Sequence, residues 1–466
     1  MDGLGRVGST VVAIGAVGFA VGCGAAGLQY LIIEVLLAAV RDLPYAAMAV
    51  VPVAGLVVTA AALRWSVPDA DPSTTDDLLR SVAGRRTLDP WAVPGRAVGL
   101  IATTGSGGAL GLDGAVGYLG AAAAASATRW LPRLRLDVEM MIVAGGAAGL
   151  AAVFQQPLFG ALFVVEAPFR VGIDVRRLPP ALVGAFAGYA GFRLCLDTSP
   201  IVQVAAVDLN SRLIVAALLA GVVAGIVARG FGLLMVQARD LSASLVLPVR
   251  LLLAAAAVVG LFLASSLSDV DGLTLGSGGA TLTWALDPRR ATAIVLAIVV
   301  LRMVSTSALV VGGAVGGLMV PLLVVGGMSG RAIAGPVASD QLLVVAVLAG
   351  SAALAAGYRV PFAGVAFAAV TLGSVSGIVP AILAVGSAML VSPGVAVTTA
   401  QRSQVRTPAP GPARAVPNAP VHGDHPRSEH HSWRRRPKAS VLSEASEWDD
   451  LGDEPWDEDV WEDPRA

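Results

Sequence analysis

The run Gly111-Leu112-Asp113-Gly114-Ala115 sets one carboxylate among glycines, in a segment (Thr103 to Ala121) otherwise nearly free of charge. Glycine lets backbone approach a small ligand closely. A helix starting just after it presents free N–H groups and the positive end of its dipole. Such an end holds an anion without a full positive charge, so it also lets go. The amides of Ala115 and Val116 are the expected donors. Asp113 would take the anion's place when ionised and vacate it when protonated. The plainer alternative is a loop aspartate at the membrane face.

Other chemistries are short of parts. His422, His425, His430 and His431 all sit in a polar C-terminal stretch, so the apolar body has no histidine for a metal site or a triad. Cys23 and Cys195 lie in separate apolar stretches and read as free buried thiols, not as a disulfide framework. Paired carboxylates at useful spacing are missing from the body. No enzyme, cofactor or nucleic-acid partner is expected. A chain of this kind moves something across a membrane or scaffolds something at it.

The elements that must position Asp113 are membrane helices. The 466 residues are 55% hydrophobic and 14% charged, with mean hydropathy +0.74, against about 25% charged in soluble domains. Apolar stretches recur at roughly 9–37, 43–63, 96–127, 139–167, 178–195, 211–236, 248–266, 291–330, 340–357 and 361–391. One crossing takes about 20 helical residues. Several stretches are too long for one crossing and too short for two, and Gly and Pro interrupt them. That predicts an all-α polytopic protein of the cell membrane with tilted, broken or re-entrant helices. The first run reads as a retained helix, not a removed signal peptide. The stretch from Arg64 to Pro94, with Asp69, Asp71, Asp76, Asp77, Arg80, Arg85 and Arg86, reads as a polar loop. Gly276–Gly279 (GSGG) reads as a turn between helices.

Two halves repeat. AAVFQQPLFGALFVVE at 151–166 is echoed by AAGYRVPFAGVAFAAV at 355–370, with Pro157 and Pro361 in register. GLDGAVGYLGA from Gly111 is echoed by GGLMVPLLVVGG from Gly316. Duplicated halves with broken helices meeting near the bilayer midplane are a common transporter plan. The halves are expected at about 10–195 and 211–403, within a membrane body of residues 1–403. Residues 404–440 are rich in Pro, Arg and His, and 441–466 are acidic around Trp448, Trp456 and Trp461. This tail (404–466) buries too little apolar surface to fold alone and reads as disordered and cytoplasmic. Arg434–Arg435–Arg436 favours that side. The tryptophans among acids could dock a cytosolic partner.

Phe154, Pro157, Leu158, Gly160, Leu162, Phe163 and Glu166 match the FxxPLxGxLFxxE helix of the CLC family, the chloride channels and proton-coupled chloride transporters. The segment around Asp113 resembles that family's GxEGP, with Asp113 for the gating glutamate and Ala115 for the proline. GGAVGGLMVP, Gly312 to Pro321, resembles GGxFxP, with Met319 for the phenylalanine. The resemblance covers about residues 10–403. It implies the inverted-repeat fold, a homodimer with one pathway per subunit, and an anion, most simply chloride, held also by the amides of Leu318 and Met319. Three departures stand out. Ala167 fills the place of the second glutamate that carries protons in coupled members, leaving Glu166, the structural one, as the nearest acid. The GSGxP serine segment is lost near residue 70, where Ser73 or Thr74 would substitute and nearby acids would repel an anion. The tyrosine of the last helix is missing from Ser392 to Gln404, where Thr398 would supply the hydroxyl.

The leading expectation is passive or weakly gated permeation of a small inorganic anion, with Asp113 as the gate. Proton coupling through Glu166 or Asp113, another anion, and a non-transporting scaffold with the same fold are the alternatives.

Overall fold

The computed structural model describes residues 3–66, 72–85, 87–169, 172–196, 207–265, 272–394 and 396–402. The tail and its tryptophans lie outside the described residues, as do Asp69 and Asp71. Regular structure among the described residues is helical, apart from one isolated bridge between Gly111 and Gly317.

The first half runs α1 (Gly3–Gln29), α2 (Tyr45–Ser66), α3 (Thr74–Val82), α4 (Ala92–Gly105), α5 (Asp113–Trp130), α6 (Val138–Phe154), α7 (Pro157–Glu166) and α8 (Leu178–Cys195). The second runs α9 (Ser211–Ser244), α10 (Leu247–Ser265), α11 (Gly279–Ala285), α12 (Thr292–Gly312), α13 (Met319–Val337), α14 (Leu342–Tyr358), α15 (Pro361–Leu372) and α16 (Ile378–Val391), before a last turn, α17 (Thr399–Arg402). Each helix of the first half has its counterpart eight places on, and the packing repeats with it. α1 packs on α5, α6 and α8 as α9 packs on α13, α14 and α16; α2 packs on α4 as α10 packs on α12. The repeat legible at two segments therefore extends through the whole membrane body.

The breaks have local causes. Gly107 and Gly313 take φ +96° and +81°, conformations that glycine adopts without strain. Each ends the helix before a loop that leads into α5 or α13. Gln155 and Arg359, at φ +53° and +57°, close α6 and α14, and Pro157 and Pro361 then open α7 and α15. A proline at the first helical position gives up an N–H that has no helical acceptor anyway. The apolar stretches 96–127, 139–167 and 291–330 thus each divide into two helices, and 361–391 divides likewise at Gly373, at φ +60°.

Seven helices among the described residues are long and apolar enough to cross a membrane. The first, Gly8–Arg41, has 34 residues because α1 continues through a π-helical segment (Tyr30–Leu37) to Arg41. At 1.5 Å per residue that is about 50 Å, more than the ~30 Å hydrocarbon thickness, which is long enough to cross with tilt. Val12, Val58, Leu252 and Val300 are exposed on such helices, as lipid-facing residues are. Inside, glycines let backbones touch. A Cβ on Gly22 would lie 2.0 Å from the Gly188 carbonyl oxygen, and one on Gly145 would lie 2.3 Å from that of Gly120. Van der Waals packing of this kind holds helices together where no hydrophobic force acts between them.

Two sequence expectations are corrected. The Arg64–Pro94 stretch is not simply a loop: it contains α3, nearly all of it buried. Its acids turn inward because cations meet them there. Asp77 pairs with Arg96 at 2.6 Å, and Asp76 with Arg239 at 3.3 Å. The cysteines are not two separate buried thiols. Cys195 is exposed, and its sulfur lies 2.8 Å from that of Cys23. GSGG is the turn expected, and it has a built support. Arg302 is buried, and its guanidinium donates to the carbonyls of Leu273 (2.7 Å) and Gly276 (2.8 Å) and to the Thr281 hydroxyl (3.2 Å).

Candidate anion site

The loops ahead of α5 and α13 meet. Gly111 and Gly317 exchange two backbone hydrogen bonds, of 2.8 and 2.7 Å, as an antiparallel pair. This pairing of equivalent glycines brings the N-termini of the two helices together. Neither position tolerates a side chain. A Cβ on Gly317 would lie 2.0 Å from Asp113 Oδ1, and one on Gly111 would lie 2.2 Å from Oδ2.

Asp113 is the first residue of α5 and is fully buried. Its carboxylate reaches across to the partner helix. Oδ1 accepts from the amide of Gly114 (2.7 Å) and, at a long 3.3 Å, from that of Met319; Oδ2 accepts from Val320 (3.1 Å). The first amides of a helix have no intrahelical acceptor. Those of Met319 and Val320 in α13 are occupied here by a carboxylate from the other half.

The other sequence candidates distribute around it. Met319 supplies one of the donors. Leu318 is the N-cap of α13 and lines the cavity described next. Ala115 is buried in the first turn of α5. The Val116 amide is already committed, donating to the Leu112 carbonyl at 2.9 Å, because it is the first residue far enough along to close a helical bond. It is not a free donor, contrary to expectation.

Beside Leu318 lies a small, partly open cavity of about 30 Å³, lined by Ser73, Thr74, Asp76, Thr398, Arg239 and Tyr358 among others. One water needs about 10–15 Å³ by this measure, so the space suits one or two waters or a single small ion. Four polar atoms of its lining residues are buried without a hydrogen-bond partner: Thr74 Oγ1, Arg239 Nε, Tyr358 Oη and Asp76 Oδ2, the last held only by its ion pair with Arg239. Buried polar atoms are rarely left so, and each calls for an explanation. Thr398 lines the same space, but its hydroxyl donates to Gln401 Oε1 (2.9 Å). The Gln401 amide in turn donates to the carbonyls of Ala167 (2.9 Å) and Tyr358.

Arg239 and Tyr358 were not found by sequence reasoning. Tyr358 comes from the end of α14, far from the last helix where a tyrosine was sought. The signal was there: Tyr358 occupies the place of Phe154 in the repeat. Arg239 is a cation near the end of a long apolar helix, which is itself a mark of function. Its guanidinium donates to the Val397 carbonyl and pairs with Asp76, whose Oδ1 accepts the Ala400 amide (2.9 Å). Of the acids that sequence reasoning set against an anion, Asp76 and Asp77 are therefore paired with arginines.

Glu166 lies elsewhere, at the end of α7. It is buried, and its two oxygens accept the amides of Phe362 (2.9 Å) and Ala363 (2.8 Å), the start of α15. One carboxylate thus ties each half's broken helix to the other's. Glu166→Ala is expected to lower stability by about 1.5–3 kcal/mol, the worth of hydrogen bonds to a charged group, with anion flux per folded protein unchanged. Thermal unfolding and liposome flux check both. Lost flux at full stability would instead put Glu166 in the transport path.

Comparison with known proteins follows this geometry. Residues 54–393 match the family model described as voltage gated chloride channel. The H(+)/Cl(-) exchange transporter ClcA of Salmonella typhi is 26% identical over 325 residues, covering 65% of this chain and 66% of the relative. The chain thus matches just under two thirds of that protein's length. Among solved structures, a CLC-type fluoride/proton antiporter superposes with TM-score 0.70 at 21% identity, over 84% of this chain and 98% of its own. A slow cyanobacterial Cl-/H+ antiporter gives 0.72 at 19%, over 82% and 94%.

Proposed function

The chain belongs to the voltage-gated chloride channel (CLC) family, and from that premise we propose that it passes a small anion, most simply chloride, down its gradient under the control of Asp113. It is a multi-pass membrane protein with a CLC-type anion pathway, and not an enzyme.

The observation that carries the proposal is the cavity beside α13. Thr74 Oγ1, Tyr358 Oη and Arg239 Nε all lack partners on residues lining one ion-sized space, where the Asp76 carboxylate is paired with Arg239. Two hydroxyls and a guanidinium N–H are donors, and an anion would satisfy all three at once. Next to it the amides of Met319 and Val320 form the second station, closed by the Asp113 carboxylate. When the carboxylate leaves, its donors are free for the anion. The Ser73 and Thr398 hydroxyls line the inner station without being its principal donors.

The case for passive movement is the alanine at 167. In this chain its carbonyl accepts Gln401, and the neighbouring Glu166 is engaged in holding α15. No acid at that place stands ready to load a proton. The homodimer that the resemblance implies is part of the same reading. Exposed Phe186 and Leu194 on α8, Phe362 on α15, and Ile382 and Leu390 on α16 offer the apolar surface for it.

The proposal is tested at the inner station. Thr74→Val and Tyr358→Phe each remove one hydroxyl with little change of shape. Each is expected to weaken chloride binding to the purified protein about 10-fold, since a hydrogen bond to a charged group contributes roughly 1.5–3 kcal/mol. Calorimetric titration reads it. Undiminished binding in the double variant would remove this cavity from the pathway.

A further inference from the structure

We propose that Cys23 and Cys195 are a redox-active pair, which a disulfide oxidant converts to a covalent staple between α1 and α8. The two sulfurs lie 2.8 Å apart although 172 residues separate them in the chain. That is well inside non-bonded sulfur contact but longer than the ~2.05 Å of a disulfide. The approach is built into the packing. α1 and α8 run side by side in the same direction, Gly18 meeting Gly184 and Gly22 meeting Gly188 with backbone nearly touching backbone. The Cys23 thiol also donates to the Gly191 carbonyl at 3.4 Å, which aims it across the helix pair. Bridging needs close backbones and converging side chains, and both are present.

The location admits an oxidant. Cys195 is exposed, while Cys23 is half-buried beside it. The face where α5 ends and α6 and α8 begin carries Arg129, Arg133, Arg135, Arg176 and Arg177. Short loops rich in arginine stay in the cytoplasm. Cys195 is the last residue of α8, about 27 Å along from that face at 1.5 Å per residue, so the pair lies toward the outer side. Disulfides persist on that side.

The step balances as two exchanges. The Cys195 thiolate attacks one sulfur of the oxidant's disulfide and expels a thiol, leaving a mixed disulfide. The Cys23 thiolate then attacks the Cys195 sulfur, forms the Cys23–Cys195 bond and expels the second thiol. The protein loses two protons and two electrons, and the oxidant becomes two thiols. The staple sits behind the first turn of α5. Ala25 and Ala26, just past Cys23, share one packed cluster with Leu112, Ala115, Val116 and Phe192. Any effect of the bond on flux rests on the reading of Asp113 given above; the bond itself does not.

The test treats the purified full-length protein in detergent with oxidised or reduced glutathione, then counts thiols after denaturation and weighs the intact chain. Oxidised glutathione is expected to remove both thiols and leave a monomer lighter by two hydrogens; dithiothreitol restores both. Cys23→Ser is expected to stop at one glutathione adduct on Cys195. Two unreacted thiols, two glutathione adducts on the wild-type chain, or chains linked to each other would overturn the proposal. Because thiol count and mass are read without any flux, failure here is distinct from failure of the transport reading.

Discussion

Asp113→Ala is expected to raise chloride efflux from liposomes by about 10-fold or more, and to make the protein's thermal stability depend on chloride. The reason is the set of donors the carboxylate now satisfies. Without it, the amides of Gly114, Met319 and Val320 lose their acceptor in a fully buried place. Leaving buried donors unmade costs about 1–3 kcal/mol each. A chloride ion entering the vacated position repays that cost, so the variant gains more from added chloride than the wild type does. A ligand that binds only the folded state raises its stability by mass action. Melting the two proteins across a chloride series measures this, and efflux measures the open pathway. Equal efflux and equal chloride dependence would mean that Asp113 caps α13 without guarding anything.

Arg239→Met is expected to abolish flux and to destabilise the protein by about 3–5 kcal/mol, the usual cost of removing one partner from a buried ion pair. Asp76 is fully buried, and Arg239 is the cation it pairs with. The two effects separate in the double variant. Asp76→Asn with Arg239→Met removes both charges while the asparagine oxygen still accepts the Ala400 amide. Stability should largely return, and flux should not, because the guanidinium of a cavity-lining residue is gone. Neighbouring residues of this kind are coupled, so the double-mutant cycle is the proper measure. Flux that returns with stability would assign Arg239 a structural part only.

These expectations turn on residues of unequal visibility. Asp113 was legible because a lone acid among glycines in an apolar chain has few structural uses. The helix breaks were legible at Pro157 and Pro361, where proline fixes the start of a helix whatever surrounds it. The repeat was seen at two places and runs through every helix pair, because apolar helices of similar composition conceal their kinship. What was missed depends on tertiary approach. The helix from Thr74 to Val82 looks like a polar loop because its acids face inward to arginines 19 or more residues away, an arrangement that only a membrane interior makes necessary. Tyr358 lines the cavity from α14, about 40 residues before the place where a tyrosine was sought. The Cys23–Cys195 approach depends on glycine contacts between helices at opposite ends of the first half. The Val116 amide is spent for a simpler reason: helix hydrogen bonding begins there, a register that a motif does not fix to the residue.

The central claim is that an anion crosses without a proton in exchange. Chloride efflux from liposomes holding the purified wild-type protein, with external pH recorded at the same time, tests it most directly. The account predicts efflux down the chloride gradient once valinomycin carries the countercharge, unchanged by an uncoupler and with no proton uptake in fixed proportion. Proton movement in fixed ratio to chloride, or folded protein that passes neither chloride nor any other small anion, would contradict it.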